Sequence, residues 1–165
     1  MEPRLIIIRG NSCSGKSTIA KRLKVEMGQG TLLVPQDVVR RDMLGIKDTA
    51  GNPSIQLIHD IVLSGKSMQY DVILEGILSV KKYGKMLHEL IAEFNNNTHA
   101  YYFDIPFEET IQRYKTKPNR AGYSEEHLKL WWKDKDYLNI KHEQKITASM
   151  SEDQIIAKIL QDFSR

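Results

Sequence analysis

One stretch of the chain narrows the choice of fold more than any other. Gly10-Asn11-Ser12-Cys13-Ser14-Gly15-Lys16-Ser17 matches G-x-x-x-x-G-K-[ST] in full. Before it, Leu5-Ile6-Ile7-Ile8 is an apolar run suited to a strand buried on both faces. After it, Ile19, Ala20, Leu23 and Met27 recur at helical spacing, predicting a helix from Lys16 to Met27. Strand, loop and helix in that order are what the chemistry of such a loop requires. The glycines let successive N–H groups converge on phosphate oxygens, and the helix N-terminus adds its positive end. Lys16 is expected to reach the β- and γ-phosphates of a nucleoside triphosphate, Ser17 to ligate Mg²⁺ and Thr18 to lie near the α-phosphate. Ser64-Gly65-Lys66-Ser67 repeats the end of the motif. It fails as a second loop, because position 60 is Asp rather than Gly and no strand precedes it.

Short β-rich runs alternate with longer helix-period segments through the rest of the chain, predicting α/β architecture with a parallel sheet. Further strands are expected at Thr31 to Val34, Tyr70 to Leu74, His99 to Phe103 and Lys145 to Thr147. Helical segments are expected at Asp37 to Leu44, Ile55 to Met68, Ser79 to Phe94, Pro106 to Lys115, Ser124 to Trp132 and after Ser151. The last carries a capping box, Ser151 with Gln154 three residues on. No repeat, low-complexity tract or linker divides the 165 residues, so one domain spanning 1–165 is expected.

Composition adds exclusions. No apolar stretch approaches a membrane span, and Arg9 and Asn11 interrupt any secretory signal. The one cysteine, Cys13, rules out an internal disulfide framework and a multi-cysteine zinc site. A cytoplasmic protein is therefore expected. The net charge of +3, from 24 Lys+Arg against 21 Asp+Glu, weighs against nucleic acid as the partner. A GTPase would need N-K-x-D, which the chain lacks, and large motor or transporter ATPases need far more residues.

The second strand is followed by Pro35-Gln36-Asp37-Val38-Val39-Arg40-Arg41. Here the chain resembles the P-loop kinases that include polynucleotide 5′-kinases, zeta-toxin-like kinases and chloramphenicol phosphotransferase. The resemblance implies a three-layer α/β/α fold, a five-stranded parallel sheet in the order 2-3-1-4-5 and a short lid over about residues 115–127. It implies that Asp37 faces an acceptor hydroxyl as its base, with Arg40 beside it; a structural alternative is that Asp37 caps a helix. Val72-Ile73-Leu74-Glu75-Gly76 resembles the strand-then-acid pattern of the adenylate-kinase-like group. Glu75 then stands for the second carboxylate, contacting Mg²⁺, a water or the acceptor. Arg113 and Arg120 resemble lid arginines that close over phosphates. Thr147-Ala148-Ser149 aligns with the loop beside the adenine ring. Gln56, His59, Trp131 and Trp132 are weaker candidates for acceptor contacts.

Taken together these readings predict a kinase that uses ATP and Mg²⁺ to phosphorylate a hydroxyl of a small molecule such as a nucleoside, sugar or antibiotic. A polynucleotide 5′-hydroxyl kinase and a non-catalytic ATP-binding switch are the alternatives. Neither the acceptor nor the oligomeric state is written in the sequence.

Overall fold

The computed structural model describes residues 2–95, 97–117 and 122–163. Five parallel strands, β1 (Leu5–Gly10), β2 (Thr31–Pro35), β3 (Asp71–Gly76), β4 (Thr98–Asp104) and β5 (Glu143–Thr147), form one sheet in the order β2-β3-β1-β4-β5. This is the order implied by the resemblance. Among the described residues six α-helices accompany them: α1 (Lys16–Met27), α2 (Ser54–Ser67), α3 (Val80–Glu93), α4 (Phe107–Thr116), α5 (Glu125–Trp131) and α6 (Glu152–Phe163).

Alternation along the central strand divides the core. Leu5 and Ile7 face one side with Val72 and Leu74, under α2 and α3. Ile6 and Ile8 face the other with Ile73, Tyr101 and Phe103, under α1 and α6. Successive strand side chains point to opposite faces, so with helices on both sides the run Leu5 to Ile8 is apolar at every position. The predicted capping box is present: Gln154 N donates to Ser151 Oγ at 3.2 Å, and Ser151 N to Gln154 Oε1 at 2.9 Å. A second box, Ser124 with His127, starts α5.

Two local features depart from the sequence reading. The segment after β2 is not an α-helical turn with Asp37 as its cap. It is a π-helical turn over Val38–Met43, in which Leu44 N donates to Val39 O, five residues back, at 3.2 Å. Asp37 itself is helical in backbone and makes no capping bond, so that alternative is removed. Strand β5 begins at Glu143 rather than Lys145. Its first residues are polar because the Glu143 carboxylate is held inside by Arg9 and by Leu138 N, which leaves no apolar period to read.

No helix among the described residues is long and apolar enough to cross a membrane.

Candidate active site

Parallel strands all end at one edge of the sheet, and ligands of such folds sit outside the carboxyl ends, where the chain reverses its direction of winding. Strand register brings the residues of interest to that edge. Pro35 lies opposite Glu75, Arg9 opposite Gly76, and Gly10 opposite Phe103.

The loop Gly10–Ser17 turns there on two glycines that other residues could not replace. A Cβ on Gly10 would stand 2.8 Å from the Cβ of Phe103, closer than carbon atoms approach. Gly15 has φ of 100°, in the left-handed region open to glycine, and leads directly into α1. Lys16 is buried, its Nζ donating to Asn11 O at 2.7 Å and lying 3.4 Å from Ser14 Oγ. Burial lowers its pKa, against the raising effect of the Glu75 and Asp37 carboxylates. Ser17 Oγ donates to Glu75 Oε1 at 3.0 Å. Burial raises the Glu75 pKa, with Lys16 and the Ser17 hydrogen bond opposing it. Thr18 is exposed beside them.

A hydroxyl and a carboxylate oxygen in contact are the hard donors that suit Mg²⁺, which takes one or two protein oxygens and completes its shell with phosphates and water. Ser17 and Glu75 therefore fit the ion. Among the described residues no group of three or more His, Cys, Asp or Glu gathers into a metal site of its own.

Asp37 follows the end of β2 at the same sheet edge, with more than half of its side chain exposed. Arg40 Nη2 donates to Asp37 Oδ1 at 2.9 Å, and Arg41 Nη2 lies 3.6 Å from Oδ2. Arg40 Nη1 holds Ile46 O at 2.8 Å, while its Nε is buried with no hydrogen-bond partner among the described residues. Gln36, also buried, accepts from Leu78 N at 3.0 Å and so ties the end of β2 to the loop after β3.

From the opposite side, α4 and α5 pack against each other as a hairpin over the loop. Arg113 Nη1 donates to Ser14 O at 2.9 Å and its Nε to Glu109 Oε1 at 2.8 Å. Arg113 thus lies on the phosphate loop itself. Arg120 falls outside the described residues, as does the middle of the expected lid. Cys13, with φ of 60°, packs its side chain against the cluster of Ile111, Tyr114 and Leu128 in the hairpin. Its contribution to a phosphate site is therefore that of its backbone. Ser12 and Asn11 line a shallow pocket with Phe107, Thr110, Leu128, Trp131 and Trp132.

The weaker candidates separate. Trp132 packs edge-on to Phe107, while Trp131 joins Tyr123 and His127 on the exposed side of α5. Gln56 and His59 engage Asp60 on the surface of α2. Thr147 and Ser149 share a 2.9 Å hydroxyl contact in the turn after β5.

Sequence reasoning missed Arg9 and the use made of Asn11. Arg9 is fully buried, yet its guanidinium holds Leu78 O, Glu143 Oε1 and Asp136 Oδ2 at 3.0–3.1 Å. A signal was available: a permanent cation in a strand apolar on both faces demands buried partners. Which carboxylates supply them has no spacing rule. The Asn11 side chain turns to the backbone of Lys133 and not into the loop.

A parallel sheet of this order, with a glycine-lysine loop joining β1 to α1 and acids at the neighbouring strand ends, defines a P-loop nucleotide-binding protein. A family model described as AAA domain matches residues 5–133, and the chain belongs to that family. Solved structures share the fold at low identity. APS kinase CysC of Mycobacterium tuberculosis, in complex with AMPPNP and APS, is 15% identical with a TM-score of 0.76 over 99% of both chains. A gluconokinase from Sinorhizobium meliloti is 12% identical with a TM-score of 0.67 over 99% of this chain and 97% of its own. Shikimate kinase from Aquifex aeolicus is 18% identical with a TM-score of 0.57 over 97% and 96%. No curated protein sequence matches the chain.

Proposed function

We propose that the chain works as one kinase unit, transferring the γ-phosphoryl group of ATP to a hydroxyl of a small molecule. The observation that carries this reading is the gathering of a buried lysine, a Ser–Glu oxygen pair and an exposed Asp37 braced by the buried Arg40 at one sheet edge. Asp37 is near enough for its charge to act on both Lys16 and Glu75. A nucleotide-dependent switch has no use for a carboxylate held open beside the γ-phosphate by two arginines. Kinases of APS, gluconate and shikimate sharing the fold support the reading.

The loop amides from Gly10 to Thr18 and the N-terminus of α1 bind the phosphates. Lys16 moves its charge from the Asn11 carbonyl to the β- and γ-phosphates. Ser17 and Glu75 would hold Mg²⁺, which supplies charge neutralisation on the phosphate oxygens. Asp37 orients the acceptor hydroxyl and takes its proton as the new O–P bond forms and the bond from γ-phosphorus to the β,γ-bridging oxygen breaks, releasing ADP. Arg40 holds the Asp37 carboxylate in place through its 2.9 Å bond. Arg113 lies where charge spreads over the transferring group.

The test is ADP formation with MgATP over a panel of nucleosides, sugars, aminoglycosides and other hydroxylated antibiotics, with 5′-hydroxyl oligonucleotides included. A small hydroxylated compound should raise turnover well above the rate with water alone. Stimulation by oligonucleotides alone would replace this reading with polynucleotide 5′-kinase, and indifference to every compound would favour the switch.

A further inference from the structure

The two side chains that flank Gly10 both point away from the phosphate loop and grip the same stretch of chain. Residues 132–142, which return from α5 to β5, contain neither helix nor strand. They nevertheless cover β1 and β4 on the face shared with α3, where Leu138 is buried in the core. Polar bonds hold them there. Asn11 Nδ2 donates to Lys133 O at 2.6 Å, and Asn11 Oδ1 accepts from Lys133 N at 2.8 Å. Both halves of one side-chain amide are thus matched to one residue's backbone. Tyr102 Oη accepts from Asp136 N at 3.2 Å. Behind it Arg9 binds Asp136 and Glu143, and these carboxylates also accept from Val80 N at 3.0 Å and Leu138 N at 2.6 Å.

This matters because the apolar packing of the hairpin among the described residues is small. Its apolar cluster is Ile111, Tyr114 and Leu128, with Cys13 and Phe107 at the margin. One end of the hairpin is fixed by β4. The other end is fixed where Lys133 meets Asn11, and Arg113 reaches the Ser14 carbonyl from between them.

We propose that Asn11, backed by Arg9, is a positioning residue for phosphoryl transfer, clamping the return end of the α4–α5 hairpin to the phosphate loop so that Arg113 is held over it. The inference rests on the kinase reading above. Only an amide suits the task, since it offers a donor and an acceptor side by side. Asp would set a carboxylate against the Lys133 carbonyl, and Ala would make neither bond. Transfer depends steeply on placement of the groups that meet the phosphoryl, so loosening the hairpin should be felt in the chemical step.

The experiment uses the full chain as wild type, Asn11→Ala and Asn11→Asp. Backbone hydrogen exchange in α4 and α5 should accelerate at least about tenfold in Asn11→Ala, from the loss of two hydrogen bonds, while β1 and β3 keep their protection. The Kd for MgATP should stay within about threefold, and kcat with a responsive acceptor should fall about 10–100-fold. If Asn11→Ala does not fold, Asn11→Asp, which keeps the volume and one bond, carries the same comparison. Unchanged exchange in the hairpin overturns the clamp whatever reaction the protein performs. Accelerated exchange with wild-type kcat overturns the positioning role. Parallel loss of ATP affinity, kcat and protection throughout the sheet reduces Asn11 to a stability residue. A wild type that phosphorylates nothing overturns the kinase reading, and the catalytic half of this proposal with it.

Discussion

The sheet and the α4–α5 hairpin are held together by different physics. Around the sheet, two large apolar clusters sandwich a central strand with every residue buried. The hairpin buries only a handful of apolar side chains and relies on Arg113, Asn11 and the buried Arg9 to attach it. Apolar burial gives stability without direction, whereas hydrogen bonds and ion pairs fix geometry while adding little net stability. Lys16, Ser17 and Glu75 are carried by the sheet and its loop; Arg113 is carried by the hairpin. On the reading proposed above, the apolar sheet core carries the phosphate ligands, and the sparsely packed hairpin carries the arginine proposed to act during transfer.

The contrast can be broken most severely from the sheet side. Lys16→Ala should abolish transfer, since it removes the cation proposed to meet the β- and γ-phosphates. Retention of more than about a tenth of wild-type kcat, a loss below ~1.4 kcal/mol, contradicts the phosphate assignment. Next in size is the attachment of the two regions. Arg9→Met leaves the partly buried Asp136 and the enclosed Glu143 carboxylate without their cation and should cost about 3–5 kcal/mol, lowering the thermal midpoint by about 6–20 °C. A midpoint within a degree or two of wild type would mean that the ionic hub holds nothing.

On the hairpin side, Arg113→Gln should lower kcat about 10–100-fold with the Kd for MgATP within threefold. Equal losses in both would place Arg113 with the ground-state phosphate ligands and erase the division drawn here.

The smallest effect is electrostatic. Burial lifts the Glu75 pKa above its ordinary 4.5. Between 4.5 and the raised value, the folded chain keeps a proton that the unfolded chain has released, so wild-type stability falls as pH rises through that window and levels off above it. Glu75→Gln has no such titration. Its midpoint relative to wild type should therefore climb across the window, by about 2–4 °C per kcal/mol of lost penalty. A constant difference from pH 4 to 8 contradicts the burial account of Glu75.

Sequence alone carried the apolar framework a long way. Helix α1 begins and ends where its periodicity does, because its buried face repeats cleanly between Gly15 and Gly28. The phosphate loop was legible because a fixed spacing of glycine and lysine has one mechanical use. Arg113 was legible as a candidate, but not its contact with Ser14, which joins residues 99 positions apart in the chain. The π-helical turn was hidden because its residues Val38–Met43 carry helical composition and only the hydrogen-bond register differs. The polar hub was hidden for a different reason. Asn11 bonds to a backbone and Arg9 to acids 127 and 134 residues away, and no local pattern marks such partners.

The central claim is that Asp37 acts on an acceptor hydroxyl beside a bound triphosphate. It is tested most directly by measuring kcat, MgATP affinity and thermal midpoint for Asp37→Asn on one preparation. Asn keeps the size of the side chain and an Oδ1 that can still accept from Arg40 Nη2, and Asp37 makes no capping bond, so the midpoint should change little. It cannot take the acceptor's proton, so kcat should fall about 10²–10⁴-fold with MgATP bound as before. Near-normal transfer by Asp37→Asn would contradict the account.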